Sequence, residues 1–332
     1  MFVALAANTA LADDMDLALS RLRVPTSSAE LPAGCTGTGT NGLPRDFCPD
    51  NATWRSLATE LSGVLLTALP TTARTTGFAG FEVTLGGTFT SIRGGESYWA
   101  VGSEGDQRTL SATNTAPSSQ LITALVQVRK GLPFGFEFGA TAGAVFDTEL
   151  WVLGGDLKWA LLEGELGAVP DVALRGSLRA LVGGADFSMY SPAVEALVSK
   201  RIAVAHAWTL APVVSFGVAW VEATTGLVDL TPDVSAYDEC VPDPDAPTLT
   251  CTRTDALPDG RVPGQDFNNQ ATFADYSAMR MRLTAGAEGR FQNFVLSGAF
   301  SFDLVDPDGL TDTLPKSLAR QWSLAVSTGA VF

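Results

Sequence analysis

Residues Leu318 to Phe332, LARQWSLAVSTGAVF, decide how this chain reads. Taken at alternate positions, one face carries Trp322, Leu324, Val326, Thr328, Ala330 and Phe332. The other carries Gln321, Ser323, Ala325, Ser327, Gly329 and Val331. Large apolar residues on one side and small or polar ones on the other, with period two, describe a strand between two environments.

Working outward, the same period recurs from Gly80 onward. A first strand sets Phe81, Val83, Leu85 and Phe89 against Glu82, Thr84, Thr88 and Thr90, and a second covers about 120–130. A third alternates Phe134, Phe136, Phe138, Ala140, Ala142 and Ala144 with Gly135, Glu137, Gly139, Thr141 and Gly143. A fourth sets Trp151, Leu153, Leu157 and Trp159 against Asp156 and Lys158. A fifth sets Val172, Leu174, Leu178, Ala180 and Val182 against Arg175, Ser177 and Arg179. A sixth spans about 190–201 and a seventh about 207–225. In the eighth, Met279, Met281, Leu283, Ala285, Ala287 and Phe291 alternate with Arg280, Arg282, Thr284, Glu288 and Arg290. A ninth places Phe294, Leu296, Phe300 and Phe302 against Ser297, Ser301 and Asp303, and the tenth is the closing strand. Ten is the count, with eight and twelve as alternatives, because strand limits drift by several residues.

Connection lengths support the count. Residues 92–119, 146–148, 183–187, 226–275 and 305–317 fall on one side, and 131–133, 161–170, 202–206 and Gln292-Asn293 on the other. Long loops at one end and mostly short turns at the other are the asymmetry of a membrane barrel. Lipid offers the backbone no hydrogen-bond partner, so ten lipid-facing strands must close on themselves. Tyr98, Trp99, Phe134, Trp151, Trp159, Tyr190, Trp208, Trp220 and Trp322 cluster near strand ends, where aromatic girdles sit. Trp151, Trp159, Trp208, Trp220, Trp322 and Phe332 are the girdle candidates.

The alternating strands, the aromatic bands and the terminal Phe332 together resemble the outer-membrane β-barrels of Gram-negative bacteria. The assembly machinery of that class recognises a C-terminal strand ending in Phe. The resemblance covers about 80–332 and is specific for the class, not for a member. It implies an all-β, antiparallel, up-and-down transmembrane barrel in the outer membrane. It also implies outer-membrane lipids, lipopolysaccharide and, during insertion, the barrel-assembly machinery as partners.

Residues 1–12, MFVALAANTALA, read as the back half of a secretory signal peptide, with Ala10-Leu11-Ala12 as the cleavage site. Residues 13–78 form an N-terminal helical and loop segment, and 79–332 the barrel. Asp13 to Arg23 predicts a short helix. Asn51 or Thr53 caps a helix to about Leu69, stopped by Pro70. Trp54, Leu57, Leu61, Val64, Leu65, Ala68 and Leu69 give it one apolar face. The favoured reading packs this helix against the periplasmic end of the barrel, and the alternative is a plug inside it. An even strand count returns the C-terminus to the periplasm, where the chain is expected to begin.

The chain has 332 residues and a formal charge of −15, which argues against nucleic acid because phosphate binding needs clustered Lys and Arg. Residues 226–275 hold ten acidic and two basic residues, the signature of an acidic loop. Cys35 with Cys48 and Cys240 with Cys251 lie in Gly-, Pro- and Asp-rich stretches without metal-ligand spacing. Two disulfides in an oxidising compartment are the simplest account, with other pairings left open.

The candidate lumen residues are Glu82, Glu137, Asp156, Lys158, Arg175, Arg179, Glu195, Arg280, Arg282, Glu288 and Arg290, with Arg201 beside them. They describe either an ion-paired filling of a narrow barrel or a polar passage whose Arg patch favours anionic or polar solutes. No catalytic residue is assigned. The single His206 falls in a short turn, and no His-x-Ser or Gly-x-Ser-x-Gly pattern occurs. No cofactor or metal is expected, and Asp306-Pro307-Asp308-Gly309 with Asp312 reads as an Asp-rich turn that lacks the bidentate Glu of a calcium loop. The favoured function is a narrow porin-like passive channel for small polar solutes. The alternative is a closed structural or adhesive barrel acting through loops 92–119 and 226–275, and an outer-membrane hydrolase ranks last.

Overall fold

The computed structural model describes residues 14–332 apart from 30, 33–34, 39–43, 106–112, 165–168, 206, 235–238, 243–248, 253–265, 308–317 and 319. Ten antiparallel strands form one closed sheet. They are β1 (Phe81–Ser91), β2 (Gln120–Gly131), β3 (Phe136–Val145), β4 (Trp151–Leu162), β5 (Asp171–Val182), β6 (Phe187–Ser199), β7 (Trp208–Thr225), β8 (Tyr276–Phe291), β9 (Phe294–Asp303) and β10 (Trp322–Val331). Each pairs with its sequence neighbours, β7 pairs with β8 from Trp208↔Phe291 to Ala223↔Tyr276, and β10 pairs with β1. The seam is sealed at its foot, where Phe81 N donates to Phe332 O at 3.0 Å and Phe332 N to Phe81 O at 2.7 Å. The ten-strand ring is closed, each of its strands being paired on both sides.

The faces fall as the alternation predicts. Glu137, Gly139, Thr141 and Gly143 on β3 are buried, while Phe138, Ala140 and Ala142 between them are exposed. Two strand limits shift. Phe134 belongs to a short turn at φ 61 and stands 92% exposed, so β3 starts two residues later than expected. The expected sixth strand stops at Ser199, and after a break at 200–201 the separate strand Ile202–Ala205 continues along the start of β7. His206 and the Asp308–Asp312 part of the Asp-rich turn lie outside the described residues.

The N-terminal segment corrects the favoured reading. Helix α1 (Asn51–Leu66) lies inside the barrel, not against its periplasmic end. Its start is at the long-loop end, where Asn51 Oδ1 accepts from Ala274 N (2.7 Å) and Trp54 Nε1 donates to Ala274 O (3.1 Å). Farther along, Thr59 O meets Arg280 and Leu65 O meets Arg179. Residues 67–78 then continue as an extended strap to the turn end, where Thr76 N donates to Glu137 Oε2. The cap is Asp50, one residue before the expected start, whose carboxylate accepts from Ala52 N and Thr53 N.

A helix on a barrel rim would keep one wet face. This one is enclosed, so Ser56, Thr59, Glu60 and Ser62 are buried along with Trp54, Leu57 and Leu61. Gly63 lets α1 touch the wall, because a Cβ there would stand 2.7 Å from Thr90 Cγ2 and 2.8 Å from Gln321 Oε1.

The described residues of 14–50 lie at the long-loop end, opposite Phe332. Met15 N donates to Asp147 O and Arg45 Nε to Asn268 O, both partners being in loops of that end. The expected Asp13–Arg23 helix is a single turn at Leu19–Arg21, and Arg23–Pro25 pairs with Phe47–Pro49 beside a Cys35–Cys48 disulfide. Cys240 and Cys251 are opposed in the register of a two-stranded ribbon in the 226–275 loop, but their side chains lie outside what is described. The chain therefore begins, over its described residues, at the long-loop end and not at the end where it finishes.

Candidate functional site: a divided lumen

The interior has two chemistries stacked along the barrel axis. Toward the long loops the inward residues are apolar. Leu121, Leu125, Val145, Val152, Leu181, Met189, Val221 and Ala278 join Trp54, Leu57, Leu61 and Leu65 of α1 in one buried cluster. Trp54 packs edge-on to Phe187 and tilted to Phe273, ring centroids 6.0 Å away in both cases. This half departs from the expectation of a polar lumen throughout.

A latch closes over it. Glu60 of α1 is buried and accepts from Arg93 N (2.9 Å), Arg93 Nε (3.1 Å), Tyr98 OH (2.8 Å) and Trp99 Nε1 (2.6 Å). The donors belong to loop 92–119 and its helix α2 (Ser97–Gly102). Tyr98 and Trp99 are thus not girdle rings, and Trp99 is fully buried. Burial and the adjacent Glu60 carboxylate push the Tyr98 phenol above its ordinary value.

At mid-height, arginines of the wall grip the main chain of the plug. Arg280 donates to Thr59 O (3.0 Å), Ser62 Oγ (3.1 Å) and Gln321 Oε1 (2.8 Å), and pairs with Asp303. Arg282 pairs with the same carboxylate at 3.2 Å and donates to Ser323 Oγ at 2.8 Å. Arg179 Nη1 donates to Leu65 O and Thr67 O, both at 2.9 Å. These carbonyls lie at and just beyond the end of α1, where backbone acceptors have no helical partner and a cation is favoured.

Toward the short turns the interior is ionic. Lys158 pairs with Glu137 at 2.8 Å, both side chains being 1% exposed, and donates to the strap carbonyls Thr72 O and Arg74 O. Arg129 pairs with Glu82 (3.3 Å), Arg175 with Glu195, and Arg290 with Glu82 and Glu288 (3.8 and 3.7 Å). Asp156 accepts from Gln127 Nε2 at 3.4 Å. Arg201 is half-buried below them. The structure buries nine of the eleven candidate lumen residues and partly buries Glu195 and Arg290. It adds Gln127, Arg129, Asp303, Gln321 and Glu60, none of which was named as a site residue. By alternation Asp303 and Gln321 fall on the inward face, and 127 and 129 share the inward parity of β2.

Outside, the picture is reversed. Leu85, Val126, Leu153, Leu157, Leu178, Val194, Val198, Val214, Phe216, Leu296, Phe300 and Val326 are all exposed around the wall. Trp159, Trp208 and Phe332 stand near the turn end, and Trp151, Trp220 and Trp322 nearer the loops, each with at least 38% of its surface exposed. Trp159 stacks on Phe136 (5.7 Å) and Trp322 on Phe300 (5.9 Å). A continuous apolar belt on this scale is far beyond what a water-soluble monomer presents. With every backbone edge paired, only lipid is its solvent.

The chain is an outer-membrane β-barrel.

Its long-loop end is accordingly the extracellular one and its turn end the periplasmic one. No helix among the described residues is long and apolar enough to cross a membrane, so the strands carry the span. No family model and no curated protein matches the chain. Solved outer-membrane barrels do resemble it. The N-terminal barrel domain of Pseudomonas aeruginosa OprF is 11% identical over 77% of this chain and 99% of that one, with a TM-score of 0.31. Ail, the attachment invasion locus protein of Yersinia pestis, is 8% identical over 77% and 99%, with a TM-score of 0.28. The outer membrane protease OmpT of Escherichia coli is 8% identical over 76% and 95%, with a TM-score of 0.32. Those likenesses are slight, and the architecture rests on the strand register and the outward apolar belt.

Proposed function

We propose that this protein is a closed outer-membrane barrel that works at the cell surface, through a cap built from residues 14–50 and loops 92–119 and 226–275. The observation that supports it is the occupation of the lumen by α1. Withdrawing the helix would expose Trp54, Leu57, Leu61, Val64 and Leu65, at about 1.5–3 kcal/mol per side chain, or roughly 10 kcal/mol in all. A helix so held is a core element rather than a gate. On the extracellular side a cleft of about 610 Å³ runs between Pro32, Cys35 and Arg45 of the cap and Leu227, Phe267, Asn268 and Gln270 of the 226–275 loop, offering a partner a mixed polar and apolar surface.

Planar-bilayer recording tests this reading. The intact protein is expected to give no stable conductance steps at physiological salt, and surface binding is expected to disappear when 226–275 is removed. An epitope inserted at Ser27-Ser28 is expected to be reached by antibody on intact cells. Stable steps would instead support the second reading, a narrow passage for small polar solutes, which the ionic periplasmic half favours. In that case Arg280→Ser with Arg282→Ser is expected to change ion selectivity.

A further inference from the structure

Between the end of α1 and the wall lies a cavity of about 80 Å³, bordered by Leu65, Leu69 and Pro70 on the plug side. On the wall side it meets Arg175 and Arg179 of β5, Ser191 and Glu195 of β6, Ser215 and Gly217 of β7, and Arg282 of β8. Three guanidinium groups thus face one carboxylate across it. Arg282 pairs with Asp303, a carboxylate it shares with Arg280. Arg175 gives one nitrogen, Nη2, to Glu195, and its Nε and Nη1 are left without a hydrogen-bond partner although the side chain is only 7% exposed. Ser191 Oγ, also buried, is equally unpartnered. Arg179 meets only carbonyls, and among the described residues no carboxylate lies within ion-pair distance of it. Asp156, the other acid near this pair, is shared with Gln127. A buried guanidinium without a counter-charge is costly, and an anion in the cavity relieves that cost.

We propose that this cavity binds a small carboxylate with a short apolar tail. The free Nε–Nη1 edge of Arg175 is the fork that takes a carboxylate through two parallel hydrogen bonds. Arg179 supplies the second positive charge and Ser191 a hydroxyl. The remaining wall, Leu65, Leu69 and Pro70, suits hydrocarbon and disfavours a doubly charged phosphate. A volume of about 80 Å³ admits roughly five to eight water-sized groups, which matches a chain of about four carbons. Glu195, with 17% of its side chain accessible, lines the cavity beside Arg175. The site is independent of the cap and would operate whether or not the cap binds a partner.

The test is saturation-transfer NMR on the full-length protein in a non-ionic detergent, titrated with butanoate at constant ionic strength. Saturable binding is expected, at least tenfold weaker in Arg175→Gln and in Arg179→Gln. Heat-modified gel migration confirms that each variant is folded. Gly217→Leu is a second, uncharged variant. The nearest atom to where a Gly217 Cβ would stand is Glu195 Cγ at 3.6 Å, so the larger side chain can enter and fill the cavity, and it is expected to abolish binding while every charged residue is kept. No saturable binding to the wild-type protein, or binding unchanged in Arg175→Gln and Gly217→Leu, overturns the proposal. Displacement of butanoate by equimolar chloride or phosphate overturns the assignment to a carboxylate with an apolar tail.

Discussion

The extracellular and periplasmic halves of one lumen solve the same packing problem in opposite ways. Both are filled by the same stretch of chain. The upper half is filled by a helix whose Trp and Leu side chains meet Leu and Val from the wall. The lower half is filled by an extended strap whose carbonyls are held by Lys158, Arg129 and Arg179. A helix satisfies its own backbone and presents only side chains, so its surroundings can be apolar. An extended strap leaves its carbonyls and amides open, so its surroundings must be polar. The conformation of the plug thus dictates the chemistry of the wall around it.

Substitutions in each half sharpen that contrast. The largest loss is expected at Trp54→Ala, which empties a fully buried site and costs about 3–5 kcal/mol of plug stability in denaturant unfolding. Barrel closure, read by gel migration, should survive. If the cost is below about 1 kcal/mol, the upper half is not a core.

In the lower half the response should depend on pairing. Lys158→Met alone leaves Glu137 buried and uncompensated, and about 3 kcal/mol is expected to be lost. Joining it with Glu137→Leu should restore only the part due to the unpaired charge, since Thr72 O, Arg74 O and Thr76 N still lose their partners. A double-mutant cycle with no coupling between 137 and 158 would break the distinction between the halves.

The smallest effect lies at the latch. Tyr98→Phe removes one of four hydrogen bonds to Glu60 and is expected to cost about 1 kcal/mol. The Tyr98 phenol is raised from its ordinary 10.0 in the folded protein, so the folded state holds this proton more tightly. Its contribution is complete below pH 10 and declines as pH rises above it. The advantage of the wild-type protein over Tyr98→Phe in thermal melts should therefore shrink as pH rises above 10.

The barrel was legible because a sheet with lipid on one side and a filled lumen on the other writes its two environments into alternate residues. Met279 to Phe291 did so over a whole strand. The plug was not legible in the same way. The spacing of Trp54, Leu57 and Leu61 announces an apolar face but not the surface it meets, and a rim and a lumen both fit. Where a strand borders the apolar half, as in Leu121-Ile122-Thr123-Ala124-Leu125-Val126, both faces carry large apolar side chains and the alternation blurs. This left β2 unphased, and Gln127 and Arg129 went unnamed. Trp99 misled for a related reason. An aromatic residue just past a strand looks the same to a reader whether it faces lipid or folds inward to Glu60.

The threading has a mechanical consequence. The segment that crosses the barrel is continuous with the wall at Phe81 below and with a folded, disulfide-closed knot at Cys35 and Cys48 above. It is a pin with a head on one side and a weld on the other. Neither tension from the periplasm nor a pull from the cell exterior can free it while both ends hold, so load applied to the surface cap is carried into the staves of the barrel.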